Sequence, residues 1–80
     1  MDAARAIDPH LARLEALVLA ELRRRGAWGG CNHELEAWLG LAGNTVRPRV
    51  RNLVLRGLVK HGGEYRITPS GRRARVWVAT

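Results

Sequence analysis

The sequence predicts a small α+β domain in the order helix, short strand, helix, helix, strand, strand. Apolar residues recur at three- and four-residue spacing through much of residues 9–56, which is typical of amphipathic helices. After residue 58 the pattern changes to alternation, with β-branched and aromatic residues. A length of 80 residues suits one core. We therefore expect a single domain spanning residues 1–80.

The first helix is predicted over residues 9–25. Asp8 is a favourable N-cap, and Pro9 suits the first helical position because its missing N–H would have no partner there. Three consecutive arginines at the other end interact favourably with the helix dipole, and Gly26 can end the helix. Residues 1–8 are predicted to form a flexible N-terminal arm.

The connecting segments carry turn and cap signals. The glycine-bearing "AWGG", residues 27–30, predicts a short strand that adds to a later sheet. A second helix follows, with Cys31 at the cap position, an acid three residues later as in a capping box, and Gly40 at its end. A terminal hairpin is predicted from strands at residues 65–68 and 74–78, separated by the turn signal "PSGRR".

The stretch "GNTVRPRVRNLVLRGLVK", residues 43–60, predicts an amphipathic third helix that exposes arginines. Pro48 would cost about 3 kcal/mol in a helix interior but much less in a first turn. We therefore expect the helix to begin near residue 44, which puts its arginines on the first two turns. Alternatively, Pro48 is only a tolerated kink on an exposed face of the helix. The expected buried stripe is Val46, Val50, Leu53 and Val54.

Positive charge is concentrated in the second half of the chain. The net charge is +7, and residues 1–40 hold five Arg against six acids. Residues 41–80 hold eight Arg and one Lys against Glu64 alone. This asymmetry predicts a polyanion-binding surface built by the second half. A generic solvated basic face is the alternative.

Other classes of protein find little support in the sequence. Cys31 is the single cysteine, so no internal disulfide can form, and no Cys and His cluster has metal-ligand spacing. No apolar run approaches the roughly 18 residues of a membrane span, and the N-terminus lacks a signal-peptide core. No carboxylate pair, catalytic triad or phosphate-cradling loop is present. We expect a cytoplasmic protein that is not an enzyme and uses no cofactor, metal, membrane or small-molecule substrate.

The turn between the second and third predicted helices has a characteristic arrangement of residues. Gly40 permits a sharp reversal, Leu41 fills the angle between the helices, and Val46 fixes the second of them across the first. These are marks of a helix-turn-helix, and a hairpin follows it. Over residues 9–79 the chain resembles the winged helix-turn-helix family, in the branch of MarR-like and small bacteriophage or bacterial regulators. Glu36 departs from that family, which usually has alanine there.

The resemblance implies sequence-specific binding of double-stranded DNA by a small transcriptional regulator. The third helix would enter the major groove, and the hairpin would contact the backbone or the minor groove. Arginine can pair with guanine and asparagine with adenine, whereas the start of the helix favours phosphate. Arg49 is expected to bond phosphate or an acid on a neighbouring helix. The candidate DNA-binding residues are Asn44, Thr45, Arg47, Pro48, Arg49, Arg51, Ser70, Arg72, Arg73 and Arg75.

Two further alternatives stay open at the level of sequence. Winged helices also serve as protein–protein adaptors in replication, recombination or phage host-takeover complexes, where an acidic partner would meet the same basic face. Leu55 is predicted to face solvent, as are some of Leu17 and Leu19 on the first helix. They are either scattered surface residues or the seam of a homodimer.

Overall fold

The computed structural model describes residues 8–80 and folds them into three helices and a two-stranded antiparallel sheet. The small α+β architecture is therefore confirmed. The predicted N-terminal arm lies outside the described residues, apart from Asp8. Of the described helices, none has both the length and the apolar character needed to cross a bilayer. The elements are α1 (Pro9–Arg25), α2 (Asn32–Leu39), α3 (Gly43–Leu55), β1 (Val59–Ile67) and β2 (Arg73–Ala79).

Helix α1 has the predicted bounds because both of its ends are capped. Asp8 Oδ1 accepts a hydrogen bond of 2.8 Å from the backbone N–H of His10. At the other end Gly26 adopts a φ of 59° and breaks the helix. Glu21 binds Arg24 and Arg25 in the last turns of α1. The hydrogen bond from Arg24 lowers the pKa of Glu21, although burial of the carboxyl opposes it.

The strand predicted at residues 27–30 is wrong. Gly26–Trp28 forms a turn of 3₁₀ helix instead, and Trp28 is 61% exposed. Gly30 alone pairs with Trp77, through two backbone hydrogen bonds of 2.9 Å. Gly29 has a φ of 62°, which extended strands do not use, so it turns the chain before a ladder can form. The third strand is thus reduced to a single bridge.

The core lies between the three helices and the start of the sheet. The predicted stripe of α3 is confirmed, with Val54 only partly buried. Leu41 also packs against the core, after a left-handed Gly40 with a φ of 66° that reverses the chain between α2 and α3. Leu55 is 71% exposed and Leu17 also faces solvent. The homodimer stays a prediction. The central buried residues are Val18, Leu22, Leu35, Val46, Val50, Leu53 and Val59.

Helix α3 begins at Gly43, one residue before the predicted start, with Ala42 at the N-cap position. Pro48 is consequently the sixth residue of the helix and lies inside it. The prediction that Pro48 falls in the first turn is wrong. Proline there removes an N–H that would have bonded the carbonyl of Asn44. The helix nevertheless continues, because Val50 and Leu53 beyond the proline are buried in the core.

The hairpin is longer than the sequence predicts. β1 begins at Val59 rather than residue 65, and its register with β2 shifts between His61 and Tyr65. The predicted alternation starts only after this irregularity, which explains why the first part of β1 was missed. The loop between the strands is ordered by a hydrogen bond of 2.8 Å from the Thr68 N–H to the Arg72 carbonyl oxygen.

Candidate nucleic-acid interface

Two adjoining clefts separate α3 from the hairpin. The first has a volume of about 500 Å³ and places Arg47 of α3 opposite the hairpin tip. The second has a volume of about 350 Å³ and runs along α3 past Arg51 to Leu55. Asn32, Arg47 and Trp77 line both clefts, so the two clefts adjoin. We call the two clefts together the cationic groove. Its arginines are Arg47, Arg51, Arg72, Arg73 and Arg75.

The register of the hairpin determines which side chains face the groove. Alternate residues of a strand share a face, so Arg73, Arg75 and Trp77 lie together on β2. Their cross-strand partners Ile67, Tyr65 and His61 share that face. The Arg73 guanidinium lies over the Tyr65 ring, 4.3 Å from its centroid. Of these residues, Arg73, Arg75 and Trp77 line the groove, whereas Tyr65 and His61 line neither cleft.

The opposite wall is the exposed side of α3. Arg47 and Arg51 are four residues apart, so they lie on the same face of the helix, and both are exposed. Val50 and Leu53 anchor the other side of α3 in the core. A single element thus carries the buried stripe and the basic wall.

Ion pairing divides the arginines into two groups. Arg24 and Arg25 bind Glu21, and Arg56 binds Glu15 at 2.9 Å. Arg66 binds Glu34 and the carbonyl of Trp28, and its guanidinium also stacks on the Trp28 ring. Within residues 8–80, none of the five groove arginines forms an ion pair. Among the residues that the structure describes, no ion pair therefore neutralises the positive charge of the groove.

Six of the ten predicted DNA-binding residues meet in the groove: Arg47, Arg51, Ser70, Arg72, Arg73 and Arg75. Asn44 and Pro48 are exposed on α3, and Thr45 is partly buried, but these three line neither cleft. Arg51 of α3 and Ser70 of the hairpin loop, the nearest of these across the groove in sequence, are 19 positions apart in the chain. Their meeting is a product of the tertiary fold.

Arg49 lies outside the groove. It is only 9% exposed and shares the side of α3 that carries Asn52 and Arg56, which both bond Glu15 of α1. Among the described residues its Nε has no hydrogen-bond partner, so the structure shows no bond from this atom to an acid of a neighbouring helix. Burial against α1 also separates Arg49 from any ligand in the groove.

Several residues that line the groove were missed by the sequence analysis as site residues, among them Asn32, Glu36 and Trp77. Asn32 and Glu36 come from α2, and Trp77 is half-buried where the two clefts adjoin. No local pattern marks them, because each reaches the groove only through the packing of α2 and β2 against α3. Over residues 8–80, His, Cys, Asp and Glu side chains form no group of three that could hold a metal ion.

The chain matches no protein-family model, and no curated protein matches its sequence.

Proposed function

We propose that this protein binds double-stranded DNA with sequence preference, as a small transcriptional regulator of the winged helix-turn-helix type. In this proposal α3 lies in the major groove, and the hairpin tip contacts the backbone or the minor groove. The observation that carries the proposal is the cationic groove. Arg47 of α3 faces Arg72, Arg73 and Arg75 of the hairpin across one cleft, and all four lack ion-pair partners among residues 8–80.

The dimensions and chemistry of this surface suit a duplex. The 13 residues of α3 make a helix about 20 Å long, and a major groove about 12 Å wide admits one helix. Arg47 and Arg51 project from the exposed side of α3, where a guanidinium can bond guanine O6 and N7. The exposed arginines of the hairpin tip are suited to phosphates. One surface can therefore both position the duplex and sample its base edges.

Binding is expected to be saturable and strongly dependent on salt. With about four to seven phosphate contacts, the logarithm of affinity should fall against log salt with a slope near −4 to −6. Fluorescence anisotropy of a labelled random duplex, titrated at several salt concentrations, measures this slope. Arg13→Ala is the control variant: it removes one positive charge outside the groove and should leave this slope unchanged. Arg13 is exposed on α1 and lines neither cleft. Absence of a saturable complex at low salt would favour the protein–protein adaptor.

Sequence preference requires a separate measurement. Repeated selection from a random duplex pool should yield a preferred sequence, which we call the selected duplex. If selection enriches no sequence although the salt-dependent complex forms, the protein binds DNA through charge alone.

Arg72→Ala is expected to weaken binding to the selected and random duplexes by the same factor. Arg72 lies at the exposed hairpin tip, where it would contact phosphate, and phosphates carry no base information. Losing one phosphate contact should make the salt slope shallower by about 0.9. Anisotropy titrations with both duplexes test this. A changed preferred sequence in the Arg72→Ala variant would instead place the hairpin tip against base edges.

A further inference from the structure

The first cleft contains one acid among its basic residues. Of the described residues lining it, Glu36 alone carries a carboxylate, whereas Arg47, Arg72, Arg73 and Arg75 surround the same space. No ion pair within residues 8–80 involves Glu36. Over the described part of the chain, no single arginine therefore neutralises this carboxylate, and its negative charge contributes to the field that an entering ligand meets.

The carboxylate of Glu36 lies beside the first residue of α3. A Cβ atom built on Gly43 would be 2.9 Å from Glu36 Oε2, so any larger residue at position 43 would displace this side chain. Ala42, at the N-cap position, supplies no side-chain hydrogen bond to the helix. The positive end of the α3 dipole thus has a carboxylate next to it, where a phosphate would otherwise be favoured.

We propose that Glu36 is a specificity-determining residue of the DNA interface: it repels phosphate from the start of α3 and so weakens non-specific complexes. The proposal rests on the proposed function. A duplex held through its backbone alone can bring a phosphate to this position, and each such complex is penalised. In the complex with the selected duplex, bonds from Arg47 and Arg51 to base edges hold the duplex where no phosphate lies against Glu36.

This assignment changes the role expected for the start of α3. The sequence favoured phosphate near Asn44 and Thr45 because helix N-termini attract anions. Here a charge from α2 takes that position, so the arginines of the hairpin supply the phosphate contacts, while Arg47 and Arg51 bond base edges. In water, repulsion between two like charges about 6 Å apart lowers the binding affinity by about a factor of three. The effect is larger where protein excludes water.

Replacing the charge at constant shape tests the proposal. Glu36→Gln should strengthen binding to a random duplex about three- to tenfold at low salt, while binding to the selected duplex changes less than twofold. The preference for the selected duplex should fall accordingly. The gain should shrink as salt approaches about 1 M, where the Debye length is near 3 Å. Glu36→Asp, which keeps the charge, should retain most of the wild-type preference.

Two controls separate charge from stability. Glu64→Gln removes the same charge from an exposed position that lines neither cleft, and it should leave the preference unchanged. The double variant E36Q/A42S gives α3 a side-chain cap in place of the lost carboxylate. It should show the same loss of preference for the selected duplex as E36Q. If the start of α3 frays in E36Q, the helical circular dichroism signal should return to the wild-type level in the double variant.

An unchanged preference in both E36Q and E36Q/A42S would overturn the role of Glu36. An equal gain for both duplexes would overturn it too, because the charge would then act on all complexes alike. Failure of the wild-type protein to bind any duplex would instead overturn the proposed function. The two failures are therefore distinguishable within one set of titrations.

Discussion

Arg47→Ala is expected to weaken binding to the selected duplex by about 1–3 kcal/mol, which is roughly 5- to 150-fold, and to change the preferred sequence. Of the arginines that the structure describes, Arg47 alone lines both clefts. A bidentate bond from its guanidinium to a guanine would be lost with the side chain, whereas the random duplex would lose only a charge. Anisotropy titrations and a repeated selection measure both effects.

Arg51→Ala should behave in the same way at a neighbouring base pair, since Arg51 lies one helical turn further along the same face. Arg13→Ala removes an equal charge from α1 and serves as the control, with the preferred sequence unchanged. If selection with Arg47→Ala and Arg51→Ala recovers the wild-type sequence, α3 does not read bases, and the groove serves another purpose.

Gly29→Ala is expected to lower the free energy of unfolding by about 2–6 kcal/mol, the sum of about 1–3 for backbone strain and about 1–3 for overpacking. Gly29 has a φ of 62°, where residues with a Cβ are strained. A Cβ there would also lie 2.7 Å from Val78 Cγ1 and closer still to the carbonyl oxygen of Trp77. Because β2 approaches so closely at this point, the substitution would push the hairpin away from the helices.

Gly26→Ala is a closely matched control for this effect. Gly26 has a φ of 59°, but a Cβ there would meet nothing within 4 Å. It should therefore show the backbone strain alone, about 1–3 kcal/mol. Urea denaturation followed by circular dichroism measures both variants. Equal losses for the two substitutions would show that the close approach of β2 is not a constraint on this fold.

The helices could be predicted from sequence because their signals are local. Asp8, Pro9 and Gly26 delimit α1, and the spacing of Val46, Val50 and Leu53 identifies the buried side of α3. Caps and periodicity act within one or two turns of helix, so they are visible without a tertiary structure. The same local view mistook "AWGG" for a strand, because a bridge between Gly30 and Trp77 depends on residues 47 positions apart.

The candidate site was only partly visible for the same reason. The sequence shows that the second half of the chain is basic and that α3 exposes arginines, but it cannot show which of them neighbouring acids neutralise. Glu15 of α1 bonds Arg56, while Arg47 meets the hairpin instead. Arg49 and Glu36 could not be placed from periodicity, since burial against α1 and proximity to Gly43 depend on how the helices pack.

By itself, then, the amino-acid order determined where α1 and α2 begin and end, which side of α3 is apolar, and that positive charge accumulates after residue 40. Only the tertiary structure decided that α3 and the hairpin tip share one groove, with Glu36 inside it and Arg49 outside. The physical reason is the distance along the chain over which each kind of interaction acts. Caps and helical periodicity act between near neighbours in the chain, whereas an electrostatic surface is created by side chains that folding alone brings together.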